Sequence, residues 1–265
     1  MSQSLARIGA IVLRHLYLIR SSWMRTLELM YWPLLNVVVW GFITQFLMTN
    51  SSLIAKAAGL LLGAVLLWDV LFRGQLGVSV SFMEEMWSRN FANLFVTPLR
   101  PWEFVAGILS MSFIRILICC IPAMLLAIPM YHYSIFELGL PLLVFFVNLM
   151  IMGWWLGLLI CGLLLRVGMG AESLAWASIF LLSPVAGIYY PIATLPEWLQ
   201  AVAWCLPTAH VFEGMRTIML EHTVPWTMLV HAGLLNALYL SASVGFFLFA
   251  FERARRDGQL IQAGE

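Results

Sequence analysis

Six stretches of this sequence stay apolar over lengths that a water-soluble fold rarely sustains: residues 29–48, 57–80, 104–130, 138–165, 173–190 and 226–251. A helix needs ~20 such residues to cross the ~30 Å hydrocarbon core of a bilayer. Inside lipid every backbone N–H and C=O must find a partner within the protein, which leaves helices or closed barrels, and runs this long and this uniformly apolar suit helices. Only 10% of the 265 residues are charged, against roughly 25% in a soluble domain, so little chain remains for anything outside the membrane. The expected fold is an all-α polytopic membrane protein of about six spans, a single transmembrane domain over 1–265.

The fifth stretch is short and carries Pro184 and Gly187. Backbone broken at membrane depth survives only where protein or a water-lined cavity satisfies it, so a broken or re-entrant element is expected there. Ahead of the first stretch stand Arg7, Arg14, Arg20 and Arg25, which superficially resemble the basic region of a signal peptide. The region is too long for one, and the stretch after it is longer than a signal core and lacks an A-x-A-like exit, so a retained first span is expected.

Orientation follows from the basic residues. Arg7, Arg14, Arg20, Arg25, Arg89, Arg100, Arg166, Arg253, Arg255 and Arg256 fall on one side of the expected topology, against Lys56 and Arg216 on the other. The positive-inside rule then places both termini in the cytoplasm; the expected location is a bacterial inner membrane. Residues 4–25 mix aliphatic side chains with spaced arginines, as a helix lying in the cytoplasmic interface does. Residues 82–97 place Met83, Met86, Trp87, Phe91 and Leu94 at helical spacing with Glu84, Glu85, Ser88 and Arg89 between them, which predicts a short amphipathic cytoplasmic helix ended by Pro98.

Several chemistries lack their residues. A Walker-type phosphate loop needs Gly-Lys followed by Ser or Thr, and the single lysine, Lys56, stands between Ala55 and Ala57. There is no HExxH and no GxSxG, and His15, His132, His210, His222 and His231 are scattered. Cys119, Cys120, Cys161 and Cys205 form no CxxC pair. No catalytic residue, metal site or disulfide is expected, and a net charge of +1 gives no reason to expect nucleic acid.

Charges within spans are the default functional candidates of a membrane protein. Asp69, Arg73 and Arg115 are such charges. Asp69 and Arg115 lie at similar depth counted from opposite sides, so they are expected to meet near mid-membrane, with Arg73 a competing partner one turn from Asp69.

Three features taken in order resemble the type-2 family of ABC (ATP-binding cassette) exporter permeases over nearly the whole chain. The first is the N-terminal interfacial helix running into span one. The second is the segment from Met83 to Pro98, followed by Pro101-Trp102-Glu103-Phe104-Val105-Ala106-Gly107, which looks like the family's coupling segment, though richer in aromatic residues. The third and most specific is Ser183-Pro184-Val185-Ala186-Gly187-Ile188-Tyr189-Tyr190-Pro191, then Leu195-Pro196-Glu197-Trp198-Leu199, Leu206-Pro207-Thr208 and Glu213-Gly214-Met215-Arg216. It is similar to the family's broken outer helices between spans five and six.

The resemblance implies a permease that moves an amphipathic substrate such as a glycan, glycolipid, lipid or drug. It implies a second, identical permease subunit and two copies of a cytoplasmic ATPase, which would hold the ATP and Mg while this chain binds no cofactor. Glu84, Glu85, Met86, Trp87, Arg89, Phe91 and Leu94 would engage the ATPase, the apolar ones as anchors in its groove. Pro184, Gly187, Pro191, Pro196, Pro207, Glu213 and Arg216, within residues 183–225, would form the outer gate. The competing class is a secondary transporter or channel not coupled to ATP, which would bring internal repeats and ionisable residues in several spans; neither stands out here.

Overall fold

A computed structural model describes residues 2–50 and 52–257, and among them there is no strand. The helices are α1 (Ser2–Arg20), α2 (Trp23–Asn50), α3 (Ser52–Trp87), α4 (Phe91–Val96), α5 (Pro101–Tyr131), α6 (Leu140–Val167), α7 (Glu172–Leu182), α8 (Glu197–Trp204), α9 (Pro207–Glu221) and α10 (Trp226–Arg256). Among the described residues five segments are long and apolar enough to cross a membrane: Thr26–Leu47, Gly59–Trp87, Pro101–Tyr131, Leu140–Val167 and Trp226–Arg256.

The fifth apolar stretch divides as its proline and glycine demand. Its helix, α7, is 11 residues long, a rise of ~16 Å that covers about half the hydrocarbon core. A run of turns follows, with Gly187 at φ +73°, a conformation that strains any residue carrying a Cβ. Then come α8 and α9, the latter opened by Pro207 at its first position, where the missing N–H costs nothing.

α3 is the central helix: 89% of its most apolar window is buried, against 17% for α2 and 28% for α10. Small residues make that burial possible. A Cβ on Gly153 of α6 would lie 2.7 Å from the Leu71 carbonyl oxygen and 2.8 Å from the Gln75 nitrogen, and one on Gly157 would lie 2.7 Å from Val78 Cβ. The two backbones touch there, the arrangement that small-xxx-small sequences provide between membrane helices. Ser112 of α5 donates to the Gly74 carbonyl of α3 at 2.9 Å, beside that seam. α10 is held to α6 by a fully paired amide, Asn236, which donates to the Asn148 carbonyl (2.9 Å) and side-chain oxygen (3.0 Å) and accepts from Trp155 Nε1 (3.1 Å). Tyr131 at the end of α5 donates to the Val38 carbonyl of α2 at 3.0 Å.

Residues 82–97 do not form one helix. Residues up to Trp87 prolong α3, the chain turns through Arg89 at φ +50°, and α4 begins at Phe91. Ser88 Oγ donates back to the Glu84 carbonyl at 2.8 Å and Asn90 Nδ2 donates to Glu85 Oε2 at 2.8 Å. Short polar side chains that compete for backbone and carboxylate partners end the helix. The N-terminal helix stops at Arg20, short of the expected residue 25, and α2 opens at Trp23.

Candidate coupling corner and outer turn

The end of α3 carries two adjacent carboxylates against α1 and α5. Glu85, 2% exposed at its side chain, accepts from Arg14 Nη1 at 2.7 Å as well as from Asn90. Glu84 Oε2 accepts from Arg115 Nη2 at 3.1 Å. His15 is fully buried between them: its Nδ1 lies 3.0 Å from the Ile11 carbonyl and its Nε2 3.7 Å from Glu85 Oε1 and 3.9 Å from Glu84 Oε2. A second strap joins Arg7 to Glu103 at 3.2 Å and to the Pro98 carbonyl at 2.8 Å, while Glu103 accepts the Arg100 N–H at 2.9 Å. Charge-assisted hydrogen bonds are the stronger kind, and here they fasten the amphipathic N-terminal helix to both sides of the α3–α4 turn.

The expected Asp69–Arg115 pair does not form. Asp69 accepts from Asn36 Nδ2 of α2 at 2.9 Å, and Arg115 serves Glu84. The reason is directional. Helical side chains lean toward the N-terminus of their own helix, and α3 and α5 run antiparallel. Arg115 therefore leans toward the end where α3 finishes, and Asp69 leans toward the other end. Arg73, 7% exposed, lies over the Phe72 ring at 5.6 Å.

The expected ATPase anchors also divide. Met86 and Phe91, each 1% exposed, and Glu85 face inward, and Leu94 packs on the same core. Phe91 sits 5.0 Å from Phe82 and 5.9 Å from Phe104, and Phe82 in turn 5.8 Å from Phe247 of α10. Side chains already packed within the chain cannot fill a partner's groove, so these are internal anchors of the corner. Its outward surface is Trp87, 53% exposed, Val96, 89% exposed, and the exposed Arg89 and Asn93.

At the opposite end of the bundle the structure gathers three of the residues singled out for the outer turn. Arg216 of α9 donates to the Gly187 and Ile188 carbonyls, the latter at 3.1 Å, and pairs with Glu213 at 3.2 Å. Glu213 accepts the Ile192 N–H at 2.7 Å. Burial pulls the Arg216 guanidinium below its ordinary pKa and the Glu213 carboxylate opposes that pull. The two side chains thus satisfy backbone groups that the broken helix leaves open. Pro184, Pro191 and Pro196 lie exposed at the bends, whereas Pro207 is buried at the head of α9. Tyr189 of the turn stacks on Trp40 of α2, centroids 5.1 Å apart. Tyr239 of α10 donates to the Cys205 carbonyl at 2.9 Å, and His210 Nε2 lies 3.0 Å from the Trp204 carbonyl.

Arg14, His15, Asn90 and Asn36 were not among the sequence candidates for these sites. The arginine spacing of residues 4–25 reads equally well as a lipid-facing helix, and nothing local ties it to residues 84 and 85.

A multi-pass α-helical membrane protein with one half-length span, a charged corner at one end and a stapled turn at the other is defined by these elements. Residues 11–220 match the profile of the ABC-2 type transporter family, and the chain belongs to that family. It is accordingly a transmembrane permease component, of the kind that pairs with an ATP-binding cassette subunit. The match runs from α1 through α9 and stops before α10. A search among curated proteins gives no significant match.

Proposed function

We propose that this chain is the membrane half of an ATP-driven exporter, working as a pair of identical permeases above two ATPase subunits that hold ATP and Mg. Its substrate is amphipathic: a glycolipid, glycan, lipid or drug. Both termini and the α3–α4 corner face the cytoplasm of a bacterial inner membrane. The supporting observation is the construction of that corner. Trp87, Arg89, Asn93 and Val96 are presented outward, while Phe91 is rooted among aromatic rings of α3 and α5, with α10 behind them. An apolar projection with charged neighbours suits docking into a partner's groove. A push on α4 would pass through Phe91 to the spans, and through Glu84 and Glu85 to α1 and α5.

The test is co-purification of the tagged chain with its co-expressed ATPase, followed by substrate-stimulated hydrolysis in lipid. Val96→Asp and Trp87→Asp are expected to lower ATPase recovery several-fold while leaving the permease folded. Unchanged recovery and unchanged stimulated hydrolysis in the double variant refute docking at this corner.

A further inference from the structure

We propose that a cavity between the ends of α6 and α10 binds the phosphate of an anionic phospholipid. The cavity is about 350 Å³ and is lined by Leu165, Arg166, Ala250, Arg253, Ala254 and Asp257. Arg166 is held in place by aromatic faces, its guanidinium carbon 5.7 Å from the Phe246 centroid and 5.4 Å from that of Phe249. Gly162 permits this, because a Cβ there would lie 2.6 Å from the Phe246 ring. A cation–ring contact consumes no hydrogen bond, and among the described residues none accepts from the Arg166 guanidinium, so its donors are available.

Among the described residues no carboxylate lies within ion-pair distance of Arg166, and Arg253 has only Asp257, at 3.8 Å. Arg255 and Arg256 are both engaged by Glu252, at 3.0 and 3.1 Å. Two cations therefore meet at the cavity against one carboxylate. A planar fork with available edge donors is the group that binds phosphate in two-point fashion.

The lipid source follows from what surrounds the charge. The cavity lies where two apolar spans end, and Val167 (67% exposed) and Phe249 (55% exposed), next in sequence to its lining residues Arg166 and Ala250, present apolar surface. An amphiphile would cover both parts at once: phosphate on the arginines, acyl chain along the helices. Basic pockets between membrane helices bind anionic headgroups on this principle. A zwitterionic lipid carries the same phosphate, but its trimethylammonium would meet Arg166 and Arg253 with like charge.

The experiment measures lipid binding to the purified full-length chain by native mass spectrometry, with phosphatidylglycerol, phosphatidylcholine and inorganic phosphate as probes. Phosphatidylglycerol is expected to bind about fivefold to tenfold tighter than phosphatidylcholine. Arg166→Gln and, independently, Arg253→Gln are expected to remove most of that preference, Arg166→Lys to keep part of it, and Asp257→Asn to strengthen it. Both arginines are exposed, so loss of fold is separable by monodispersity and helical content. Wild-type affinity in Arg166→Gln, equal binding of the two lipids, or occupation by inorganic phosphate as tight as that by phosphatidylglycerol would each overturn the assignment.

Discussion

Substituting Gly153 by alanine adds one methyl group at the point where α6 meets the backbone of the central helix. The new Cβ would stand 2.7 Å from the Leu71 carbonyl oxygen and 2.8 Å from the Gln75 nitrogen, more than half an ångström short of ordinary contact. Both obstacles are backbone atoms, so no rotamer change relieves them and the helices themselves must separate. Opening a packed seam by ~0.5 Å forfeits about a quarter of each dispersion well along it, in line with the ~1–3 kcal/mol that overpacking costs. Alanine also gains ~0.5–1 kcal/mol over glycine within a helix, so the comparison needs a glycine with open space. Gly245 and Gly233 of α10 supply it, since a Cβ at either meets nothing within 4 Å. Denaturant unfolding of the purified chain in lipid nanodiscs should show Gly245→Ala neutral or slightly stabilising. Gly153→Ala should fall below it by ~1–3 kcal/mol, with Gly157→Ala close behind. Gly153→Ala as stable as Gly245→Ala would falsify the backbone contact between α3 and α6.

The re-paired charges offer a second test: Glu84→Arg with Arg115→Glu should recover stability that either single change loses, whereas exchanging Asp69 and Arg115 should recover none, as read by thermal unfolding. Arg14→Ala leaves the buried Glu85 with Asn90 as its remaining hydrogen-bond donor and should cost ~1–3 kcal/mol; an unaltered unfolding curve would show that Arg14 does not support that carboxylate. At the outer turn, Glu213→Gln should keep the Ile192 contact and hold transport near wild type, while Arg216→Ala, which strips two backbone carbonyls of their donor, should increase proteolysis between residues 183 and 196. His210 is held below its ordinary value of 6.5, first by burial and also by His231. Its folded value lies under the unfolded one, so its contribution to stability is complete above pH 6.5 and is lost as pH falls through the folded value. His210→Gln should flatten that part of the stability profile relative to wild type.

Elements whose causes are local were legible in the sequence. The long spans follow from apolar length, and the break after residue 182 follows from Pro184 and Gly187, because the backbone restrictions of those residues act within a turn or two. The outer staple was half legible. Gly187, Glu213 and Arg216 could be named as belonging together by resemblance, but that Arg216 serves the carbonyls of Gly187 and Ile188 depends on where α9 comes to rest. At the α3–α4 corner, which side chains face inward was not legible. A period of 3.6 over residues 82–97 identifies an apolar face without saying what covers it, and Phe82 and Phe104 cover Phe91 from two different spans, with Phe247 of a third packed behind Phe82. Mid-membrane pairing failed because depth alone was counted, and the direction in which a helical side chain leans decides the partner once two candidates lie at similar depth.

The distribution of glycine and charge along α3 joins these features mechanically. Its middle is held by backbone contact through Gly74, Gly153 and Gly157, a seam with little slack because close-packed interiors shift between discrete arrangements rather than stretch. Its far end carries Glu84 and Glu85, tied to α1 and α5 by ion pairs, and its near end packs on α9, where Met215 lies against Gly63. A rigid helix bonded at both ends moves as one body. A displacement imposed at the α3–α4 turn therefore reaches α9, the helix that carries Glu213 and Arg216, without any chain of small side-chain shifts between them. Loosening the seam should break that transmission while leaving both ends intact. Gly153→Ala, and Gly157→Ala to a smaller degree, are expected to preserve ATPase recovery and the Glu213–Arg216 staple yet lower transport per ATP hydrolysed. A variant that loses transport and hydrolysis in equal proportion would show that the two ends do not communicate through α3.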